Sequence, residues 1–162
     1  ARGSSGNPHE PLPEGFIHND VHSVMVHPSS PDLVIAPTGG GLYRSMDGGT
    51  AWTLLYECYC RAVWVDPDNA DHMILGPADG VDEAGRVEVT VDGGVSWHLP
   101  SEVYSPPWPD YMVEQFVPLD QQLLALLSNG HLIVSSITEL DWQRIIPEVE
   151  DGLAVAVVQA GE

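Results

Sequence analysis

An eight-residue pattern occurs twice in this chain, as Ser45-Met46-Asp47-Gly48-Gly49-Thr50-Ala51-Trp52 and as Thr90-Val91-Asp92-Gly93-Gly94-Val95-Ser96-Trp97. The aspartates stand 45 residues apart, a period that fits one four-stranded repeat unit. Units of that size cannot bury an apolar face alone, so they must stack on one another.

The chemistry of the pattern is that of a turn. Asp-Gly-Gly between two apolar runs marks a hairpin, because glycine supplies the positive φ that tight hairpin turns need. Asp47 and Asp92 are placed to accept hydrogen bonds from turn N–H groups about two residues ahead, helped by the hydroxyls of Ser45 and Thr90. Trp52 and Trp97, five residues after each aspartate, are large enough to anchor the hairpin against a neighbour. These residues, with Gly49 and Gly94, are read as structural.

The pattern resembles the Asp-box of BNR repeats, found in sialidase-like and sortilin-type β-propellers. The resemblance implies that each box lies on the turn between the outer two strands of a blade, away from the central channel where ligands bind.

Further segments repeat. Val24-Met25-Val26-His27-Pro28 through Ile35 matches Val63-Trp64-Val65-Asp66-Pro67 through Ile74 at an offset of 39. Each is an apolar strand, a polar turn and a second strand. The offset grows to 45 after Gly80, which makes Val81 to Arg86 an insertion between the second and third strands. A third copy keeps the strand rhythm through Trp142 but carries Ile137 where the aspartate should be, so its turn is expected to use Thr138, Glu139 and Asp141. The expected architecture is all-β: consecutive four-stranded antiparallel propeller blades at about 20–57, 58–102 and 111–147, then an extra strand at 152–159. A polar, Gly/Pro-rich lead segment occupies 1–19.

Three blades and a strand fall short of a closed ring, which takes about four to eight blades. Either the chain is half of a longer protein, or its open blade edges pair with a second copy; a homo-oligomer is expected in the latter case.

Charge narrows the partners. Against 24 acidic residues stand five arginines and no lysine, a formal net charge of −19. Such a surface repels phosphate backbones and anionic membranes, so neither nucleic acid nor membrane is expected as a partner. No stretch approaches the roughly twenty apolar residues of a membrane span and no secretory signal is visible, so a soluble protein is expected and its compartment stays open. Cys58 and Cys60, the only cysteines, sit two apart in strand-like sequence, where Cα atoms are about 6.5 to 7 Å apart. That spacing disfavours a disulfide, and without a second Cys/His pair it disfavours zinc. Neither a metal nor a cofactor is expected.

Candidate site residues come from aligning the innermost strands. His22 matches Arg61, and Glu114 lies near the corresponding point of the third copy. Innermost strands enter a propeller beside its channel, so His22, Arg61 and Glu114, with Asp20, are expected to line one pocket. Two further segments carry candidates. Trp108, in a proline-rich run with Tyr104 and Tyr111, either forms a contact surface or folds back on the blades. The insertion with Asp79, Asp82 and Glu83 lacks the ordered ligands of an EF-hand loop and reads as solvent-facing.

Two functions fit. One is a non-catalytic propeller-type binding module with a glycan or protein ligand. The other is a sialidase-like glycoside hydrolase whose site needs a second chain or a missing half. The resemblance implies an arginine cluster for sialidase chemistry, and Arg2, Arg44, Arg61, Arg86 and Arg144 do not assemble one. The binding module is therefore preferred, with no catalytic residue assigned.

Overall fold

The computed structural model describes residues 12–100, 107–145 and 154–156. Its elements are strands, and no helix occurs among the described residues. In the first sheet β1 (Met25–His27), β2 (Ser30–Thr38), β3 (Gly41–Ser45) and β4 (Thr53–Tyr56) pair antiparallel in chain order. The second joins β5 (Tyr59–Val65), β6 (Met73–Ala78) and β7 (Glu88–Thr90). The third holds β8 (Val113–Leu119), β9 (Gln122–Leu127), β10 (Leu132–Ser136) and β11 (Gln143–Ile145).

The second sheet departs from the expected four strands. Its outer strand is a single antiparallel bridge, Val89 to His98, closed by two N–H···O bonds of 2.9 Å. Pro100 follows two residues later and has no N–H, so it cannot extend that ladder. Of the expected extra strand, only 154–156 lie within the described residues, and they are not in a strand. Gln115 nevertheless holds Val155 by both backbone groups: its Nε2 donates to the carbonyl at 3.2 Å, and its Oε1 accepts from the N–H at 3.4 Å.

Strand alternation explains how the sheets stack. Val63, Val65, Met73 and Leu75 of the second sheet face Leu33, Ile35 and Leu42 of the first. The alternate residues Ala62, Trp64, Ile74 and Val87 face Val113, Leu123, Ala125, Leu127 and Ile133 of the third. The middle sheet is thus buried on both faces, which is why β6 reads as an almost unbroken apolar run. Each fully buried Leu or Ile contributes about 1.5–3 kcal/mol.

Side chains also tie the first sheet to backbone carbonyls of the second at nearly constant sequence separation. His22 Nδ1 donates to Cys60 O at 2.8 Å and Ser23 Oγ to Arg61 O at 3.1 Å. His27 Nε2 reaches Asp66 O at 3.1 Å and Ser29 Oγ reaches Pro67 O at 3.3 Å. Repeat-equivalent strands lie side by side, joined by polar as well as apolar contacts.

The two Asp-Gly-Gly turns are close copies. Gly48, Gly49, Gly93 and Gly94 have φ of 70°, 92°, 71° and 90°, the left-handed region that glycine enters without strain. Asp47 Oδ1 accepts from the N–H groups of Thr50 and Ala51, and Asp92 Oδ1 from that of Ser96, three or four residues ahead rather than two. Ser45 Oγ and Thr90 Oγ1 accept from Gly49 and Gly94 and donate to their aspartates. These bonds hold both carboxyls below the usual range: Asp47 through Ala51 and Ser45, Asp92 through Ser96 and Thr90. The tryptophans part ways. Trp52 Nε1 donates to Gly49 O within its own turn, whereas Trp97 stacks on Tyr56 of the first sheet with ring centroids 5.6 Å apart.

In the third sheet Ser136 replaces the missing aspartate. Its Oγ accepts from the N–H groups of Thr138 and Glu139, Ser135 Oγ donates to Asp141, and Leu140 takes φ 53° to close the turn. Thr138, Glu139 and Asp141 do build this turn, as the sequence implied.

Candidate functional site

Asp20, His22, Arg61 and Glu114 come together. They line one cavity of about 840 Å³ with Val24, Met25, Tyr59, Gln115 and Phe116, where β1, β5 and β8 begin side by side. The segment before β1 is held in place by backbone bonds: His22 N–H to Pro37 O at 3.0 Å, and Gly39 N–H to Asp20 O at 2.9 Å. The Asp-Gly-Gly turns sit at the opposite end of the strands. Ser45 pairs with Val34, and Val34 with Val26 at the far end of β1, so neither aspartate reaches the pocket.

The pocket's polar groups form one continuous chain of contacts. Arg61 Nη1 donates to Glu114 Oε1, while Arg61 Nε and Nη2 donate to the Tyr59 hydroxyl at 3.2 and 3.1 Å. With its oxygen receiving two N–H groups, Tyr59 directs its own proton to His22 Nε2, 3.4 Å away. The Cys60 carbonyl can only accept, so His22 carries a proton on Nδ1, and neutral His22 offers Nε2 as the acceptor. Asp20 Oδ2 lies 3.3 Å from the same Nε2. Burial works against the Arg61 charge, but the Tyr59 bonds and the Glu114 carboxylate outweigh it and raise the guanidinium pKa. The Arg61 and Glu114 side chains are each under one-third exposed, so the ion pair is partly shielded from water.

Sequence reasoning missed Tyr59. It stands two residues before Arg61 on the same strand face, and its ring lies 5.0 Å from that of His22. Strand alternation around Arg61 was the signal that could have found it. Phe116, two residues after Glu114, was missed for the same reason, and Gln115 between them also lines the cavity.

Trp108 is not part of this pocket and does not form a contact surface. It is 4% exposed, packs with Trp64, Val113 and Trp142, and stacks on Tyr111 at 5.2 Å. Of the two readings its sequence allowed, folding back on the blades is the one observed. Tyr104 lies outside the described residues.

The insertion also differs from a free solvent loop. Arg86 Nε donates to Glu88 at 2.6 Å and Nη1 to Asp79 at 3.0 Å, while Nη2 contacts the Tyr56 hydroxyl at 3.4 Å. Burial opposes the Arg86 charge, yet the Glu88 and Tyr56 contacts raise its pKa. This cluster clamps the insertion onto the first sheet. Both cysteines are free thiols, and a hydrogen bond with Cys60, reinforced by burial, pushes the Cys58 thiol upward and keeps it protonated.

No protein-family model matches this chain, and no curated protein does. Solved structures do. An ancestral GH74 enzyme is similar with TM-score 0.66 and 26% identity over 82% of this chain and 19% of that one. A GH74 xyloglucanase from Xanthomonas campestris gives TM-score 0.58 and 16% identity over 76% and 22%. YCF48 bound to D1 peptide gives TM-score 0.52 and 13% identity over 85% and 46%. The chain spans about a fifth of the length of the GH74 proteins and under half that of YCF48. Among its described residues no helix is long and apolar enough to cross a membrane. With three antiparallel sheets stacked at repeat spacing and no closed ring among the described residues, the chain folds as a run of consecutive β-propeller blades.

Proposed function

We propose that the chain is a non-catalytic binding module of the BNR/Asp-box propeller class, with its ligand seated in the pocket between β1, β5 and β8. The observation that carries this reading is that the pocket's guanidinium is matched by one of its two lining carboxylates. Glu114 is the anionic half of an ion pair with Arg61, and Asp20 faces His22. Glycoside hydrolysis needs two carboxyl groups with separate duties, one of them an uncommitted proton donor. Here Glu114 is committed to Arg61, which leaves Asp20 as the one other carboxyl among the described lining residues and no second free group to divide the work. A site with paired charges and apolar walls from Val24, Met25 and Phe116 suits a polar ligand, glycan or peptide, that exchanges hydrogen bonds with the network.

The solved neighbours are neutral on this choice, since they include both GH74 enzymes and YCF48 bound to a peptide. The pocket chemistry is what favours binding over turnover.

The test is a calorimetric panel of xyloglucan oligosaccharides, sialosides and short peptides, run beside a reducing-end assay on the same sugars. Saturable binding that Arg61→Ala weakens about tenfold or more, with no product formed, supports the module. Release of reducing ends that Arg61→Ala or Asp20→Asn abolishes would establish a hydrolase and overturn the reading. No binding to any member of the panel would also count against it.

A further inference from the structure

A second cleft, of about 1200 Å³, lies beside the channel pocket and shares only Tyr59 with it. It runs between the first and second blades, at the end of the strands where the Gly39–Gly40 turn, the Glu57–Cys58 link and the insertion meet. Both flanking blades are present, so its shape is set by this chain's own repeats. Its walls are apolar for so open a surface. Of the eleven large apolar side chains exposed among the described residues, Leu12, Phe16, Leu54 and Val81 line this one cleft. Single apolar side chains on a surface are ordinary, but four gathered round one opening mark a contact surface.

The charge of the cleft is one-sided. Among its described lining residues the carboxylates are Glu14, Glu57 and Asp79, and the one guanidinium is Arg86. Arg86 is already paired with Glu88 and Asp79. His18 Nδ1 accepts the Asp20 N–H at 3.2 Å, which leaves that imidazole neutral. Glu14 and Glu57 are exposed and have no ion-pair partner among the described residues. Burial first, and the Glu57 carboxylate second, raise the pKa of Tyr43 in the cleft wall, so the Glu57 charge is felt inside. Unpaired carboxylates above an apolar wall suit a cation on an aliphatic stem, and arginine and lysine side chains supply both.

The backbone beneath suits a chain rather than a small ion. β4, which brings Thr53 and Leu54 to the cleft, is the edge strand of its sheet. The lead segment already uses that edge: Gly15 makes an antiparallel bridge with Trp52, whose N–H donates to Gly15 O at 3.1 Å. An extended peptide that continues along the same edge gains main-chain bonds there and sets alternate side chains into the cleft.

We propose that this cleft binds an extended basic peptide segment of a partner protein, its arginine or lysine side chains pairing with Glu14 and Glu57 and its backbone lying along β4. The formal −19 of the whole chain steers such a partner from a distance, and salt screens that steering. A small polyvalent cation would answer the charge but would use neither the sheet edge nor the apolar wall. This inference goes beyond the binding-module reading and stands without it.

The experiment is fluorescence anisotropy of a fluorescein-labelled peptide of about ten alternating arginine and valine residues, titrated with the full chain at about 0.05 and 0.5 M sodium chloride. Saturable binding is expected, about tenfold or more weaker at the higher salt. Glu14→Gln combined with Glu57→Gln should weaken it about tenfold at the lower salt, with the circular dichroism spectrum unchanged because both side chains are exposed. Asp32→Asn combined with Asp68→Asn removes the same charge from exposed positions at the opposite end of the strands and should change binding by less than about twofold. Equal loss in the two pairs would make the effect one of bulk charge and overturn the site. No binding, or equal binding of a peptide with glutamate in place of arginine, overturns it as well. Displacement of the peptide by about a tenfold excess of spermidine would make the occupant a small cation and overturn the peptide assignment.

Discussion

At the Tyr59 hydroxyl the contacts of Arg61 and His22 meet. Replacing it with phenylalanine keeps the ring beside His22 but leaves two Arg61 N–H groups without their acceptor. Because Arg61 is part-exposed, water replaces some of what is lost, so Tyr59→Phe is expected to cost about 1 kcal/mol in urea unfolding. A change too small to resolve would show that the hydroxyl does not position Arg61. The two turn aspartates support a second prediction at this scale. Their carboxyls are held below the ordinary value of 3.8, so the folded state gains from their charge above that pH. As pH falls through the lower folded value the gain is lost. Wild type should therefore exceed Asp47→Asn with Asp92→Asn in stability at pH 5 to 7, and the gap should narrow steadily as the pH falls below 3.8. Acid also relieves the −19 self-repulsion, but it does so nearly equally in both proteins. A gap that stays constant with pH would mean the turns are indifferent to carboxyl charge.

Between elements, Gly85 shows how a loop can seat a tryptophan. A Cβ there would lie 2.2 Å from Tyr111 O and 2.5 Å from Met112 Cα, and the Gly85 carbonyl accepts the Trp108 N–H at 2.7 Å. The clash is with backbone, which no side-chain truncation relieves. Gly85→Ala should lift the Trp108 segment off the blades at a cost of about 1–3 kcal/mol and raise acrylamide quenching of tryptophan fluorescence. Quenching and stability both unchanged would show that the approach is not tight. The sequence allowed Trp108 to fold back on the blades but did not show how, because the glycine that admits its backbone lies in a separate segment. By contrast, the three sheets were legible. The Asp-Gly-Gly pairs dictate their turns locally, and the offset of 39 carries β1 and β2 onto β5 and β6 residue for residue. Asp20, His22, Arg61 and Glu114 were legible because equal positions in stacked repeats must be neighbours. Tyr59 was not, since an aromatic in a strand is ordinarily filler and its role depends on where His22 points.

Across the whole molecule the middle blade belongs to two cores at once, one shared with the first blade and one with the third. Leu42 and Ile133 are both fully buried, but in different cores. Truncating either to alanine should cost about 2–5 kcal/mol through lost contacts and a cavity. How that cost spreads depends on how blades are coupled. In a stack where each unit touches only its neighbours, stability is close to a sum of unit and interface contributions, and end units open before the whole. Leu42→Ala should then lower native-state hydrogen-exchange protection most in β2 and β3, with a smaller fall in β9 and β10. Ile133→Ala should do the reverse. β6, gripped from both sides, should stay among the best protected in either variant. If both substitutions instead lowered protection uniformly across β2, β6 and β9, the two cores would be a single cooperative unit. The blades would then not be separable neighbours, and the middle blade would transmit the loss in full from one side to the other.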